Sequence, residues 1–239
     1  MLVAAAVCPC PPLLVPEVAA GAAPELDGVR AACLDAVAVL AASRPARLVV
    51  VGPGGPGEPE LFPQGSPGSF RGFGVDLDVR LGRGGTAAGT GGKALPAALA
   101  VAAWLLERTE WAVAPVEGVA VGDALESGRC LELGRELAAG DERIALLAMG
   151  DGSACRTLKA PGYLDERAEP FDAGTARALG AADAAALAAL DAGLARELQA
   201  AGRASWQVLA GAGEGAGLRG QLLADEAPYG VGYHVAAWS

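Results

Sequence analysis

The chain has 239 residues, of which 52% are hydrophobic and only 5% aromatic, so its core must consist mostly of alanine, valine and leucine. A net charge of −10 argues against a nucleic-acid-binding surface, which needs clustered Lys and Arg to neutralise phosphates. No apolar run reaches the roughly 18 residues that cross a bilayer, and no basic segment precedes the first apolar stretch. The five cysteines are an odd number without a secretion signal. We therefore expect a cytoplasmic protein with no membrane or nucleic-acid partner, folded as one domain over residues 1–239 because no long polar linker interrupts it.

Strand and helix patterns alternate along the chain. The first half predicts strands at 1–7, 47–51 and 75–81, helices at 24–43 and 95–108, and loops rich in Gly, Pro and Ser at 52–74 and 82–93. The second half predicts strand-like segments at 112–114, 118–121, 143–149, 205–209 and 231–238. It also predicts a helix at 126–139 and one long helix or two joined ones at 173–201. A polar loop at 155–170 and a glycine-rich loop at 211–217 complete this half. This alternation predicts an α/β sandwich whose central sheet, mostly parallel or mixed, is flanked by helices.

Two segments resemble phosphate-binding loops without meeting their requirements. Residues 89–94 contain a Gly-Lys step, but Ala87 stands at the position of the first P-loop glycine and Ala94 replaces the Ser or Thr that would hold magnesium. Residues 211–216 fit a loosened dinucleotide-binding pattern after an expected strand, yet they lie too near the end of the chain for a full βαβ unit. We therefore expect no nucleotide cofactor.

The junction after the first strand carries two cysteines. Prolines follow both Cys8 and Cys10, and because proline fixes φ and lacks a backbone donor, the strand should end there in a rigid loop. Open α/β sheets usually bind ligands at the carboxyl ends of strands, which makes this loop a candidate site. The Cys-x-Cys spacing is too tight for the usual structural zinc site. Cys33, in a helical stretch, is most simply a small buried hydrophobe.

His234 is the only histidine, and it lies inside the last apolar strand. The simplest interpretation is a core or edge-strand histidine with one hydrogen bond. A role in metal binding or proton transfer would need partners, and Cys8 and Cys10 are the only thiols with a route to a shared pocket. A single histidine excludes any site built from two or three imidazoles of one chain.

A polar loop over residues 150–165 follows a buried strand, and it should share the sheet edge of Cys10 if the two strands are parallel. The loop gathers Asp151, Ser153, Arg156, Thr157, Lys159, Tyr163 and Asp165. Arg156 and Lys159 are suited to hold an anion, and the glycines to expose backbone donors. The alternative is a surface loop whose hydrogen bonds only hold the loop itself together.

Four segments occur in an order and spacing that resemble a known family. They are VCPCPPLL at 7–14, LVVVGPG at 48–54, LLAMGDGSA at 146–154 and APYGVGY at 227–233. With these segments the chain resembles the class III extradiol ring-cleavage dioxygenase catalytic-subunit superfamily, most of all its alanine-rich branch from high-GC Gram-positive bacteria. The resemblance covers nearly the whole chain. It implies an extradiol-dioxygenase-like α/β fold and, in active members, ferrous iron held by two histidines and a late glutamate, with a further histidine as the acid/base.

This sequence departs from the residues that the resemblance implies. Cys10 stands in place of the first histidine, Gly54 in place of the second and Ala154 in place of the acid/base, while Glu226 matches the glutamate. A facial site of two histidines and one carboxylate leaves positions open for catechol and dioxygen. Replacing both imidazoles removes that site, and replacing the third histidine removes the family's acid–base route. We therefore expect the fold and the pocket without iron-dependent ring opening.

Three hypotheses for the function follow. In the first, the chain is a divergent member of the superfamily that binds a small molecule or a partner, lacks the family's iron chemistry and holds no Fe(II) or other cofactor. In the second, it is a metal- or thiol-dependent enzyme with a relocated site, in which Cys10 is the nucleophile or ligand. The residues that would support Cys10 are Asp151, Ser153, Arg156 and Lys159. In the third, it is a structural or assembly protein, because family members often form homo-oligomers and the terminal strand ending in Trp238 is suited to pairing between chains.

Overall fold

The computed structural model describes residues 1–84 and 93–239, and its framework is a mixed β-sheet. The strands are β1 (Leu2–Cys8), β2 (Arg47–Pro53), β3 (Glu60–Phe62), β4 (Pro67–Ser69), β5 (Asp78–Arg80), β6 (Val116–Val121), β7 (Ile144–Met149), β8 (Gly220–Glu226) and β9 (Tyr233–Trp238). The main sheet has 7 strands in the order β3-β6-β2-β7-β1-β9-β8, and β4 pairs with β5 in a separate sheet. The predicted α/β class with a mixed central sheet is confirmed. Most of the P-loop-like segment 89–94 lies outside the described residues.

Helices cover both faces of the main sheet. They are α1 (Pro16–Ala19), α2 (Asp27–Ala42), α3 (Ala97–Arg108), α4 (Ser127–Ala138), α5 (Ala168–Ala181), α6 (Ala184–Ala188), α7 (Ala192–Glu197) and α8 (Arg203–Gly213). The core on one face joins the sheet to α2 and α3, and the core on the other joins it to α4, α5, α6 and α8. Among the described residues, no helix is both long enough and apolar enough to cross a membrane.

The central strands are apolar on both faces because both faces are covered. In β1, Ala4 and Ala6 belong to the core with α2 and α3, whereas Ala5 and Val7 belong to the opposite core. β6, β2, β7 and β1 run parallel to their neighbours, β9 runs antiparallel to β1, and β8 runs antiparallel to β9. The carboxyl ends of the four parallel strands, the start of β9 and the end of β8 therefore lie together. We call this side of the sheet the carboxyl edge.

The expected strand at 205–209 is wrong, because these residues form part of α8. Gly211 and Gly213, which suggested a loop, lie in the last turn of that helix, so the loosened dinucleotide pattern does not follow a strand. The region 173–201 belongs to three helices rather than one or two. The side chains of Asp183 and Asp191 accept backbone N–H bonds at the starts of α6 and α7, and these caps divide the region.

The structure also changes four assignments among the strands. The alternating segment 75–81 forms a strand only at β5, because its partner β4 is itself only three residues long. The expected loop at 52–74 includes β3 and β4, and residues 112–114 lie outside any strand, before β6. β8 was not predicted; it is an edge strand with few strand-favouring residues, and it pairs with β9 alone.

α4 and α8 cross with their backbones in close contact. A Cβ on Gly134 would lie 2.0 Å from the Val208 carbonyl oxygen, and a Cβ on Gly211 would lie 2.1 Å from the Leu131 carbonyl oxygen. Only glycine fits at either position, because any side chain would force the helices apart. The two glycines thus set the distance between the helices that cover this face of the sheet.

Candidate functional site

Cys10 and Asp151 meet at the carboxyl edge. Because β1 and β7 are adjacent and parallel, the loops that follow them start side by side. The Cys10 backbone N–H donates to Asp151 Oδ1 at 2.7 Å, and the Gly150 N–H donates to the Cys8 carbonyl oxygen at 3.0 Å. These bonds continue the strand pairing into the two loops and hold the Asp151 carboxylate against the first of them.

Burial shifts the pKa of both groups. Burial raises the pKa of Asp151 to about 6, although the Cys10 N–H and the positive charge of His234 act in the opposite direction. Burial also raises the pKa of the Cys10 thiol, and the neighbouring Asp151 and Cys8 raise it further. At neutral pH, Cys10 is therefore a protonated thiol beside a carboxyl group that titrates near neutrality. Carboxyl groups shifted in this way are typical of sites that bind or transfer protons.

A buried polar cluster forms around Asp172, a residue of α5. Its side chain is completely enclosed, and it accepts hydrogen bonds from the Ser153 N–H at 2.8 Å and the Ser153 hydroxyl at 2.7 Å. Arg156 donates to the same carboxylate at 3.2 Å. A Cβ on Gly152 would lie 2.8 Å from one Asp172 oxygen, and a Cβ on Gly232 would lie 2.6 Å from the other. The two glycines therefore leave the space that the carboxylate fills.

His234 on β9 lies between Asp172 on α5 and Asp225 on β8. Its Nδ1 lies 3.0 Å from Asp225 Oδ1, and its Nε2 lies 3.9 Å from Asp172 Oδ1, too far for a hydrogen bond. Burial lowers the pKa of His234, but the two carboxylates outweigh burial and the net shift is upward. Burial likewise opposes ionisation of Asp172, yet His234 and Ser153 bring its pKa below the ordinary value. The cluster is therefore an ionic network that favours a protonated imidazole.

A groove opens beside this network, with a volume of about 720 Å³. We call it the 156–229 groove. Its lining residues come from the 150–165 loop and from the turn before β9: Arg156, Thr157, Leu158, Lys159, Leu164, Pro228 and Tyr229. Arg156 thus joins the buried Asp172 to an open surface. The groove contains both cationic residues that the sequence suggested for anion binding.

The structure divides the predicted site residues among three places. Cys10 and Asp151 contact each other. Ser153 and Arg156 bind Asp172 instead. Lys159 is exposed in the groove. The 150–165 loop therefore does not form one compact catalytic group around Cys10.

Two carboxylates of the cluster were not predicted from the sequence. Asp172 lies in an alanine-rich helix, and Asp225 lies in the strand that was not recognised. A carboxylate between apolar residues of a helix is the only local signal for Asp172. Its partners Ser153 and His234 are distant in the sequence, so only the tertiary structure identifies the network.

The residues that the resemblance assigns to iron do not fit an iron site. A Cβ at Gly54 would lie 2.6 Å from the Cβ of Ala120, so this position has no room for a ligating side chain. Ala154 is buried and has no donor atom on its side chain. Glu226 is exposed at the end of β8. Across residues 1–84 and 93–239, no three side chains of His, Cys, Asp or Glu are grouped so that they could hold a metal ion.

Comparison with known proteins identifies a shared fold. No protein-family model matches the chain, and no curated protein matches it. Among solved structures, the chain is similar to the uncharacterized protein JW3007 from Escherichia coli K12, with a TM-score of 0.52 and 14% sequence identity. The match covers 99% of each chain. At this identity, the similarity establishes the fold and leaves the activity open.

Proposed function

We propose that this chain is a divergent, extradiol-dioxygenase-like protein that binds a small molecule and does not carry out iron-dependent ring opening. The observation that carries the proposal is the 156–229 groove, whose volume of about 720 Å³ is large enough for a small organic molecule. It lies at the carboxyl edge, where open α/β sheets bind their ligands.

The altered ligand positions support the second half of the proposal. Cys10 is a buried thiol whose backbone is bonded to Asp151, and burial raises its pKa and so opposes the thiolate that a metal requires. Gly54 and Ala154 supply no side-chain donor. A ring-opening mechanism that depends on two imidazoles and an acid/base histidine therefore has no residues here to perform it.

The two other hypotheses receive less support. A nucleophilic Cys10 would need a lowered thiol pKa and partial exposure, whereas Cys10 is only 8% exposed and its pKa is raised. The assembly hypothesis relied on the terminal strand as a free pairing edge. That strand, β9, lies between β1 and β8 and is buried along its whole length, so it is not free to pair with another chain.

Two measurements test the proposal. Protein purified without chelators should contain far less than stoichiometric iron and should not cleave catechols when Fe(II) is added; stoichiometric iron together with ring cleavage would refute it. A panel of small molecules, screened by thermal unfolding, should include compounds that stabilise the wild type and not Leu158→Trp, which places a larger side chain in the groove. If no compound stabilises the wild type, or if the variant responds equally, ligand binding at this groove is refuted.

A further inference from the structure

We infer that the ligand of the 156–229 groove is an amphipathic organic anion, whose charged group binds Lys159 and Arg156 while its apolar part covers Leu158 and Leu164. The inference rests on the proposed function, because it specifies the chemical class of the molecule that occupies the same groove. The charge, the apolar surface and the rigidity of the groove support this inference.

Lys159 carries an unpaired positive charge. Within the described residues 1–84 and 93–239, its ammonium forms no ion pair and no hydrogen bond, and it lines the groove. The only other lysine of the sequence, Lys93, pairs with Glu60 at 2.6 Å. In a chain with a net charge of −10, an unpaired cation in a concave site provides a local attraction for anions.

Arg156 is held in place by a buried carboxylate. One nitrogen of its guanidinium donates to the buried Asp172 carboxylate at 3.2 Å, and another lies 3.9 Å from the exposed Glu169. A guanidinium has five N–H donors, so this anchoring leaves most of them for a ligand. Asp172 fixes the side chain beforehand, which lowers the entropy lost when an anion binds.

An exposed apolar surface lies beside these cations. Leu158 is 63% exposed and Leu164 is 46% exposed, and both line the groove together with Pro228 and the ring of Tyr229. A small inorganic anion would leave this apolar surface in water. A ligand with a hydrocarbon or aromatic body and an anionic end would cover it while it pairs with the cations.

Backbone contacts hold the walls of the groove in place. The backbone N–H of Arg156 donates to the Gly230 carbonyl oxygen at 3.0 Å, and the backbone N–H of Asp165 donates to the Cys155 carbonyl oxygen at 3.0 Å. Gly230 has φ +75, and a Cβ there would lie 2.6 Å from the Cβ of Ala160, so the loop and the turn before β9 contact each other backbone to backbone. A groove fixed by such contacts requires little ordering when it binds a ligand.

The test uses two fluorescent probes that differ in charge. 8-Anilinonaphthalene-1-sulfonate carries an anionic group on an aromatic body, and N-phenyl-1-naphthylamine is its neutral counterpart without the sulfonate. The wild type should bind the sulfonate at least about 5-fold more tightly than the neutral probe, since a charge-assisted contact adds roughly that factor. Equal affinity for the two probes would overturn the inference.

Lysine variants locate the effect. Lys159→Gln should weaken binding of the sulfonate by about 5-fold or more and leave the neutral probe unchanged, and Lys159→Arg should retain most of the affinity. Lys93→Gln is the matched control and should change neither probe. Because Lys159 is exposed, its variants should fold normally, and their unfolding temperatures check this. If Lys159→Gln binds the sulfonate as tightly as Lys93→Gln does, the inference is overturned.

The result also separates this inference from the proposed function. One outcome would leave small-molecule binding intact and overturn the inference that the ligand is an anion. In that outcome, neutral compounds stabilise the wild type but not Leu158→Trp, and Lys159→Gln does not change the affinity for the sulfonate. If no compound, charged or neutral, stabilises the protein, both proposals fail.

Discussion

Asp151 has an environment unlike that of an ordinary surface carboxylate. It lies in the loop after β7, accepts the Cys10 N–H, and has a pKa raised to about 6. A folded-state pKa above the unfolded value of about 3.9 means that the stability linked to this group is present at low pH and is lost as the pH rises through 6. At neutral pH the folded protein therefore holds a charge that destabilises it.

The substitution Asp151→Asn should remove this destabilising charge while its side-chain oxygen still accepts the Cys10 N–H. The free energy of unfolding of the variant, relative to wild type, should increase by about 2 kcal/mol between pH 4 and pH 7.5. Urea denaturation at the two pH values measures this. Asp141→Asn, at an exposed position before β7, is the control and should show no such increase. If Asp151→Asn increases the free energy of unfolding by the same amount at both pH values, the raised pKa of Asp151 is contradicted.

For individual residues, the sequence predicted which side chains lie at the carboxyl edge but not the buried network of Asp172, Ser153 and His234. The pairing of Cys10 with Asp151 could be anticipated, because both follow apolar strands that turned out to be parallel neighbours. Asp172 and Asp225 could not, because their partners are contacts of the folded chain and no local pattern marks them. The role of Arg156 changes as a result, since it is fixed by a buried carboxylate that the sequence did not reveal.

Among the elements, α8 shows most clearly why sequence patterns mislead. Its glycines indicated a loop, and its segment 205–209 indicated a strand. In the structure, Gly211 is required because α8 approaches the carbonyl oxygen of Leu131 on α4. A glycine that serves close helix packing looks the same in a sequence as one that ends a helix. By contrast, α3, α4, β2 and β7 were predicted within a few residues, since long helical segments and buried apolar runs are strong local signals.

The substitution Gly211→Ala should therefore destabilise the protein, even though alanine is the better helix former. Its Cβ would lie 2.1 Å from a carbonyl oxygen, and moving the helices apart should cost about 2 to 3 kcal/mol. Gly128→Ala is the matched control, because Gly128 lies in α4 with nothing within 4 Å of the added Cβ. It should be neutral or stabilise by up to about 1 kcal/mol. Chemical denaturation measures the free energy of unfolding of both variants. If the two variants are equally stable, the close crossing of α4 and α8 is contradicted.

For the whole molecule, the groups with shifted pKa values together predict the pH range of greatest stability. The raised pKa of His234 gives stability that is complete below about 6.5 and is lost as the pH rises through its folded-state pKa. The lowered pKa values of Asp172 and Asp225 give stability that is lost as the pH falls below about 3.9. Asp151 adds a loss of stability that begins near pH 3.9 and is largely complete when the pH exceeds its folded-state pKa of about 6.

The free energy of unfolding should therefore be greatest at about pH 4 to 5 and should decrease towards pH 8, first through Asp151 and then through His234. Urea titrations at intervals of one pH unit would measure this profile. His234→Gln should flatten the decrease above pH 6, because it removes the proton that the two carboxylates stabilise. A stability that rises steadily from pH 5 to pH 8 would contradict the ionic network around His234.

The position of β9 has a consequence for how the chain folds. Ala5 of the first strand pairs with Trp238 of the last, so the two ends of the sequence meet inside the sheet. Contacts between such distant segments form late, because a very long loop must close before they contribute. Until β9 is in place, one edge of the alanine-rich β1 is open and β8 has no partner. We therefore expect slow refolding with a transient species that is prone to association through the open edge of β1.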